Sequence, residues 1–563
     1  MYSRVNSNLL EDRLDAEFYS LEQIKNHKTL QDYGVIPLSA YCNGINVGYT
    51  GELTSVYRAQ GTTLFRVSDI DGIFLSNDDV NYVPDDFAAN NPQIWIRDND
   101  IVFAAVGNTI GKVALKTVSM PDGVCSRALM IARPLTDKID SSFLIAYLAT
   151  KYAQKSLLRG VSGSAQPVLN TPLIANLPVI SAESVSQKYI GDKVRQAEQL
   201  RVWAKRLYRI PAFIDAFIQG ALPLSLTDLL FSLIKKSNND AIKELTKFLA
   251  LNIEDAQMKQ NFQGFIEKNK MGSVDIEREF FHINTVSTSA IEDFLSAQTY
   301  RPAITDAFDK ITSKKFSTLQ SISLEPIRQG ATPKFSAIGK KCIKSKQTRD
   351  LFLDETGYEI VDPNDEQNKR IVRLKRNDIL VTRQGAGTVG RASIFLDDEE
   401  TYITDSLFLV RIDPAKANPA FVAGFLRSYT GQRLIEKGVY GSTGQLNLSS
   451  TALRNIPILD VPLEFQNFLG ETLCTVDTLF KLSTRLTQSA KTLVEALIEG
   501  QLTEQQLIQA QQALEDGDNS LDQAILSKLS AEGYAIEGAT PLFSDVDELY
   551  SLLEEAAQAE AEE

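Results

Sequence analysis

Residues 377–395, NDILVTRQGAGTVGRASIF, and residues 99–115, NDIVFAAVGNTIGKVAL, are two versions of one stretch, and the fold turns on how they are read. GAGTVG (385–390) fits the G-x-G-x-x-G fingerprint that seats a dinucleotide pyrophosphate. That fingerprint needs a strand before it and a helix after it, because the helix N-terminus holds the pyrophosphate. Ile379, Leu380 and Val381 supply the strand. The segment after the glycines, RASIFLDDEETYITDSLFLVRI (391–412), is rich in β-branched and aromatic residues with turn signals, and predicts another strand. The earlier copy puts Asn108 before Thr109 and loses the leading glycine pattern. Only Thr109-Ile110-Gly111-Lys112 and Thr388-Val389-Gly390-Arg391 survive in both copies. Their spacing predicts a glycine-tight hairpin that presents one basic side chain, not a nucleotide cradle.

The likeness runs the length of the chain. RGVSGSAQPVLNTPLIANLPVI (159–180) matches KGVYGSTGQLNLSSTALRNIPIL (437–459), and FIQGAL (217–222) matches LIEGQL (497–502). LDAEFY (14–19) faintly matches LSAQTY (295–300). Asn377 lies 278 positions after Asn99 and Leu295 lies 281 after Leu14, so the drift is small and a unit has been duplicated. Each copy has a strand-rich region, a short helix (141–160, 418–438), a Gly-Ser-…-Gln turn, an LPVI or IPIL run, and a long helix. Val185, Ile190, Val194, Ala197, Leu200, Ala204 and Leu207 form one apolar stripe; Phe465, Leu469, Leu473, Val476, Phe480, Leu486 and Leu493 form the other. Such stripes between charged faces predict an antiparallel, coiled-coil-like pair. Residues 224–290 and 503–563 also read as helical. The end of the second, EEAAQAEAEE, is rich in alanine and glutamate and predicts a solvated helix or a frayed end.

Several chemistries are disfavoured. The chain has 563 residues, two histidines and four cysteines. Two histidines leave almost no room for histidine-based acid–base triads or histidine-rich metal sites. Cys42, Cys125, Cys342 and Cys474 form no CxxC pair, which argues against a disulfide framework and a zinc site and predicts a reducing cytoplasm. No run of about 18 apolar residues predicts a membrane span, and the opening MYSRVNSNLLEDRLDAEF has no apolar core of a secretory signal. Asn418-Pro419-Ala420-Phe421 resembles the N-P-P-[YF] of amino-methyltransferases. Its counterpart is Asp140-Ser141-Ser142-Phe143, and both asparagine and aspartate there predict helix N-caps. The net charge of −14 lies in the tail: between Glu499 and Glu563 there are 16 acidic residues and one lysine. The remainder can therefore carry basic faces.

Two tandem units, each with N-D-I-[LV], then T-[VI]-G-[KR], G-S-…-Q, a proline-centred run and a long helix, resemble the specificity subunit of type I restriction–modification enzymes. Asn377-Asp378-Ile379-Leu380, Gly387-Thr388-Val389-Gly390-Arg391, Gly441-Ser442-Thr443-Gly444-Gln445 and Ile456-Pro457-Ile458 carry the likeness best. The first copy departs at Asn108 and at Leu177. The resemblance implies an α+β chain: two β-rich target recognition domains in pseudo-twofold tandem, separated by long antiparallel coiled-coil-like spacer helices, plus extra helical segments. The boundaries would be 1–180 and 291–459 for the domains, 181–223 and 460–502 for the spacer helices, 224–290 for a helical insertion and 503–563 for the acidic tail.

It further implies a non-catalytic reader of a bipartite, asymmetric double-stranded DNA sequence. The chain would bind no cofactor and would dock two methyltransferase subunits carrying S-adenosylmethionine, and through them translocase–nuclease subunits. Candidate DNA contacts are Arg58, Arg66, Thr109, Lys112 and Arg127 in the first copy. In the second they are the cluster Lys340, Lys341, Lys344, Lys346 and Arg349, with Arg383, Thr388 and Arg391. Ser164, Gln166, Ser442 and Gln445 of the paired turns either touch the DNA backbone or close a turn. Lysines suit phosphates, and arginines or glutamines can read base edges. The same residues would also suit an ordinary solvated face. Two alternatives are a DNA-reading subunit of a modification complex without nuclease, and a protein-binding scaffold.

Overall fold

The computed structural model describes residues 18–218 and 284–561, apart from 54, 59, 79, 160, 162–167, 289, 290, 292–295, 355, 369, 386 and 442–445. The fold is α+β. The chain forms two compact units, residues 1–203 with 479–563, and residues 204–478. The divisions fall inside two long helices, Ser184–Leu207 and Leu463–Ile498.

The first unit has two large sheets beside a two-stranded pair, Val35–Pro37 with Pro178–Ile180. One runs in the order Cys42–Val47, Leu129–Pro134, Ile101–Ala104, Val113–Leu115, Phe74–Leu75, Ile70–Asp71. The other runs Asn81–Val83, Thr62–Phe65, Gly123–Cys125, Trp95–Ile96. Phe65, Val102, Ala104, Ala114, Cys125 and Ile131 belong to one core cluster that draws on both sheets. Every residue of Ile101–Ala104 is buried, which is why it reads as a continuous apolar run rather than an alternating strand.

The second unit repeats the plan: Arg328–Gln329, Leu407–Val410, Ile379–Thr382, Ala392–Ile394 in one sheet, and Glu359–Val361, Phe335–Ile343, Thr401–Ile403, Val372–Arg373 in the other. The shared order extends upstream of Asn99 and Asn377, where the sequences no longer match. In each unit an upstream strand pairs in parallel with a downstream one: Thr63 with Gly123, and Lys341 with Thr401. Ala392–Ile394 after the glycine turn is a strand, as expected, so the dinucleotide fingerprint lacks its helix.

The N-D-I motif is a turn joined to a buried ion pair. Asn99 and Asn377 have φ of 67° and 72°, left-handed values that asparagine tolerates better than most residues. Asp100 and Asp378 are 1% and 0% exposed. They accept the N–H of Arg97 at 2.9 Å and of Lys375 at 2.7 Å. Arg133 Nη2 lies 2.8 Å from Asp100 and Arg411 Nη2 2.6 Å from Asp378.

The N-caps are as expected: Asp140 accepts from Ser142 and Phe143, and Asn418 from Phe421 at 3.0 Å. Gln187 and Gln466, early in the long helices, accept the N–H of these cap residues at 2.9 and 3.0 Å.

Each unit is completed by the helical segment that closes the other copy. In the second, Asp215 on Ile210–Ile218 accepts the N–H groups of Tyr429 and Thr430 at the start of Tyr429–Lys437. In the first, Glu495 accepts the N–H of Lys151 at 2.8 Å, at the start of Lys151–Arg159. A carboxylate at a helix N-terminus is favourable because unpaired N–H groups and the positive end of the dipole meet there.

The tail is helical as expected: Glu504–Glu515, Ser520–Leu526 and Val546–Ala561 are helices of the first unit. Its end from Glu554 is a largely exposed helix, while the rest of the tail is packed. Leu507, Leu526, Leu549, Leu553 and Ala556 are buried. Asp522 is 1% exposed and pairs with the equally buried Lys193 at 2.7 Å, while Tyr189 and Tyr550 donate their hydroxyls to it. The acidic, alanine-rich composition conceals an apolar stripe at helical spacing. Of the expected insertion 224–290, residues 224–283, 289 and 290 lie outside the described residues.

Both buried carboxylates can be tested by substitution. Arg411→Met leaves Asp378 without its partner and should lower stability to urea by about 3–5 kcal/mol; adding Asp378→Asn should recover part of the loss. Burial pushes the Asp215 carboxyl up to about 6, against the hydrogen bonds that favour its ionised form. Its stabilising contribution is then complete below about pH 4 and is lost as pH rises through the folded value. The stability advantage of the wild type over Asp215→Asn should therefore shrink between about pH 4 and 6.5; a constant gap contradicts the assignment.

Candidate nucleic-acid interface

In the second unit the C-terminal end of Ile379–Thr382 gathers most of the predicted residues. Thr382 pairs with Leu407 and Val381 with Ala392, which sets Arg383, the Asp405-Ser406 turn and Arg391 at one end of the sheet. Thr404 N–H donates to the Ile343 carbonyl at 3.2 Å, bringing the start of 344–349 to the same end. The hydroxyls of Thr348 and Thr382, 2.6 Å apart, pin that loop. Gly385 N–H donates to the Leu446 carbonyl, so the flank of 442–445 arrives there too. Gly390 has φ of 83°, and a Cβ on it would sit 2.6 Å from Ile435 Cγ2, so only glycine lets the turn lie against helix Tyr429–Lys437.

The first unit builds the same rim. Ala104 pairs with Leu129 and Phe103 with Val113, which places Lys112 and Arg127 together. Ser126 N–H donates to the Phe65 carbonyl, bringing Arg66 to this end. Leu169 N–H donates to the Ala105 carbonyl at 2.9 Å, bringing the flank of 162–167. Two glycines that the sequence reading missed close both rims: a Cβ on Gly48 would run into the Ser126 carbonyl, and one on Gly330 into the Thr404 carbonyl. No motif surrounds either glycine, so only the close backbone approach reveals them.

The charges differ in how firmly they are engaged. Lys112, Arg127 and Lys346 are exposed and Arg391 half-buried, and none has a hydrogen bond or ion pair at its charged end among the described residues. Arg383 is tied down, donating to the Asp405 carbonyl at 2.8 Å and to Gln384 Oε1 at 2.7 Å. Arg66 pairs with Asp69 at 3.1 Å. Thr109 donates to the Val106 carbonyl within its turn, and Thr388 N–H to the Gly385 carbonyl.

The 340–349 cluster divides. Lys344, Lys346 and Arg349 lie at the rim, with Lys344 paired to Glu359 at 3.0 Å and Arg349 to Asp354 at 3.5 Å. Lys340 and Lys341 sit beside the other end of Thr401–Ile403 and pair with Glu400 and Glu399. Arg58 is not at the rim: it bridges to Tyr82 and donates to the carbonyls of Val56 and Tyr57 at 3.1 and 2.8 Å. Ser164, Gln166, Ser442 and Gln445 lie outside the described residues.

Burial pushes the Cys42 and Cys342 thiols up to about 12, so neither is a ready thiolate. Among the described residues no group of three or more His, Cys, Asp and Glu could hold a metal ion, and no helix is long and apolar enough to cross a membrane.

The class to which this architecture is related emerges on comparison with known proteins. No family model matches the chain. Over 127 residues, 22% of its length, it is 27% identical to the type I restriction enzyme MjaVIII specificity subunit of Methanocaldococcus jannaschii, and it spans 29% of that relative's length. Among solved structures, the type I restriction–modification S subunit of M. genitalium is 12% identical, with 82% of this chain and 94% of that one covered and a TM-score of 0.34. The HsdS subunit of Thermoanaerobacter tengcongensis is 13% identical, with 83% and 97% covered and a TM-score of 0.25. The chain is thus similar to type I restriction–modification specificity subunits.

Exposed cations that serve a ligand should be dispensable to the fold. Lys112→Ala and Arg127→Ala should each change stability by no more than about 0.5 kcal/mol. Arg383→Ala, which breaks charge-assisted bonds to Asp405 and Gln384, should cost about 1.5–3 kcal/mol in urea unfolding.

Proposed function

We propose that the chain is the DNA specificity subunit of a type I restriction–modification complex. The observation that carries this reading is the rim built twice: in each unit the T-x-G-[KR] turn, the base of the Gly-Ser-…-Gln segment and a set of basic side chains meet at one end of the central strand. A basic rim of loops on a rigid sheet suits duplex DNA, because cations can hold phosphates while neighbouring side chains reach base edges. Two such modules on one chain suit a target in two parts. The long helices would hold the parts a fixed distance apart, so that helix length sets the gap in the recognised sequence.

In this reading the chain does no chemistry. Methyltransferase subunits docked on it would bring S-adenosylmethionine and modify the base, and translocase–nuclease subunits would join through them. The scarcity of histidine, the buried high-pKa thiols and the capping role of Asn418 support a binding rather than a catalytic role.

The test is a map of methylated bases in a host genome with and without the gene. A two-part motif with a constant gap should appear only when the gene is present. A chimaera carrying the 63–135 region of a relative should change one half of the motif and leave the gap intact. Identical methylation in both genomes, or a complex that grips every duplex equally well, overturns the proposal.

A further inference from the structure

The second unit holds three guanidinium groups around one turn, and the fold uses them incompletely. Gln432 Nε2 donates to the carbonyls of both Gly390, at 3.4 Å, and Leu426, at 2.7 Å, so the next residues, Arg391 and Arg427, are held side by side. Arg427 is 8% exposed and its Nη2 lies 3.0 Å from Asp350 Oδ1. Its Nε is buried without an acceptor among the described residues. Asp350 also receives the Tyr208 hydroxyl and, at 2.7 Å, the Leu351 N–H. Arg349, next in sequence to Asp350, is 70% exposed. Arg391 has neither a hydrogen bond nor an ion pair among the described residues.

Burial first, then the like charges of Arg427 and Arg349, hold the Arg391 guanidinium below its ordinary pKa, with Asp350 opposing them. A half-buried cation beside two others, with no acceptor of its own, costs the fold free energy. An anion with several acceptor oxygens would relieve it, and arginine forks match phosphate geometry.

The first unit lacks this arrangement. Phe74 and Phe352 make the same parallel bridge, to Leu115 and to Ile394, and three residues before each stand Asp71 and Arg349. Asp71 is a carboxylate, 2.9 Å from Arg201. Gln154 donates to the Leu148 carbonyl as Gln432 does to that of Leu426, so Ala149 occupies the place of Arg427. Lys112 stands where Arg391 does, and it is exposed rather than half-buried.

We propose that Arg349, Arg391 and Arg427 form a phosphate clamp present in the second copy alone, with Asp350 and Tyr208 positioning Arg427. Resting on the DNA reading above, the clamp seats a backbone phosphodiester of the duplex and makes the second unit the stronger anchor. The same chemistry would accept free inorganic phosphate.

The test titrates the full chain into two fluorescein-labelled 30-bp duplexes of unrelated sequence, over a salt series, by anisotropy. Arg391→Gln should weaken both duplexes by the same factor, about tenfold, and reduce the slope of log affinity against log salt by about one. Lys112→Gln should cost less than about threefold. An Arg391→Gln loss that differs between the duplexes makes Arg391 a base reader and overturns the clamp, as does a loss no larger than that of Lys112→Gln. A second arm measures thermal unfolding with inorganic phosphate, comparing wild type, Arg391→Gln and Arg349→Gln. If no duplex binds but phosphate stabilises the wild type and neither variant, the clamp stands and the DNA reading falls. If neither ligand distinguishes wild type from variants, the clamp falls.

Discussion

A carboxylate buried where a strand begins, and the single arginine that neutralises it, organise both halves of this protein. Asp100 and Asp378 open the central strands Ile101–Ala104 and Ile379–Thr382, and Arg133 and Arg411 reach them from or just beyond the neighbouring strands. An ion so deeply buried is tolerable only when paired and hydrogen-bonded. The pair therefore permits one register between the two strands. A slip of one residue would turn every side chain to the opposite face. At the other end of the same strands the register decides which residues meet, and there it gathers Lys112 with Arg127, and Arg383 with Arg391. The rim inherits its geometry from an ion pair at the opposite end of the strand.

The second constraint is the exchange of helix ends. Asp215 sits on the short helix that follows the first long helix and Glu495 in the last turn of the second, and each meets the helix N-terminus of the other copy's globular part. Tyr208, just past the first long helix, donates its hydroxyl to Asp350. Neither copy of the repeat is thus a complete folding unit. The acidic tail belongs to this logic: its Asp522 engages Lys193 and Tyr189 of the long helix, so much of the negative charge decorates a packed helical layer.

How far a residue's role could be read from sequence depended on whether its partner was local. N-caps and the glycine hairpins are built within a few residues, and their signals stood out in the sequence. Arg133 and Arg411 lie 33 residues from their partners, and nothing near them marks the pairing. Gly48 and Gly330 matter only because another strand passes close by. The basic run 340–349 reads as one patch, yet strand pairing gives Lys340 and Lys341 to glutamates near one end of Thr401–Ile403 and sends Lys344, Lys346 and Arg349 to the other. The mean composition of the tail hides the few apolar residues by which its helices pack.

The sequence alone determined that a unit is written twice, that its strands surround a glycine hairpin, and that it carries two histidines and no CxxC pair. Each of these rests on short-range pattern, which is legible because the backbone's local choices are few. Tertiary structure decided which cations face an acceptor and which do not, which helix end completes which unit, and why Arg391 stands beside Arg427. Those outcomes depend on residues brought together across tens to hundreds of positions, where the energy of a charge is set by its surroundings in space and not by its neighbours in the chain.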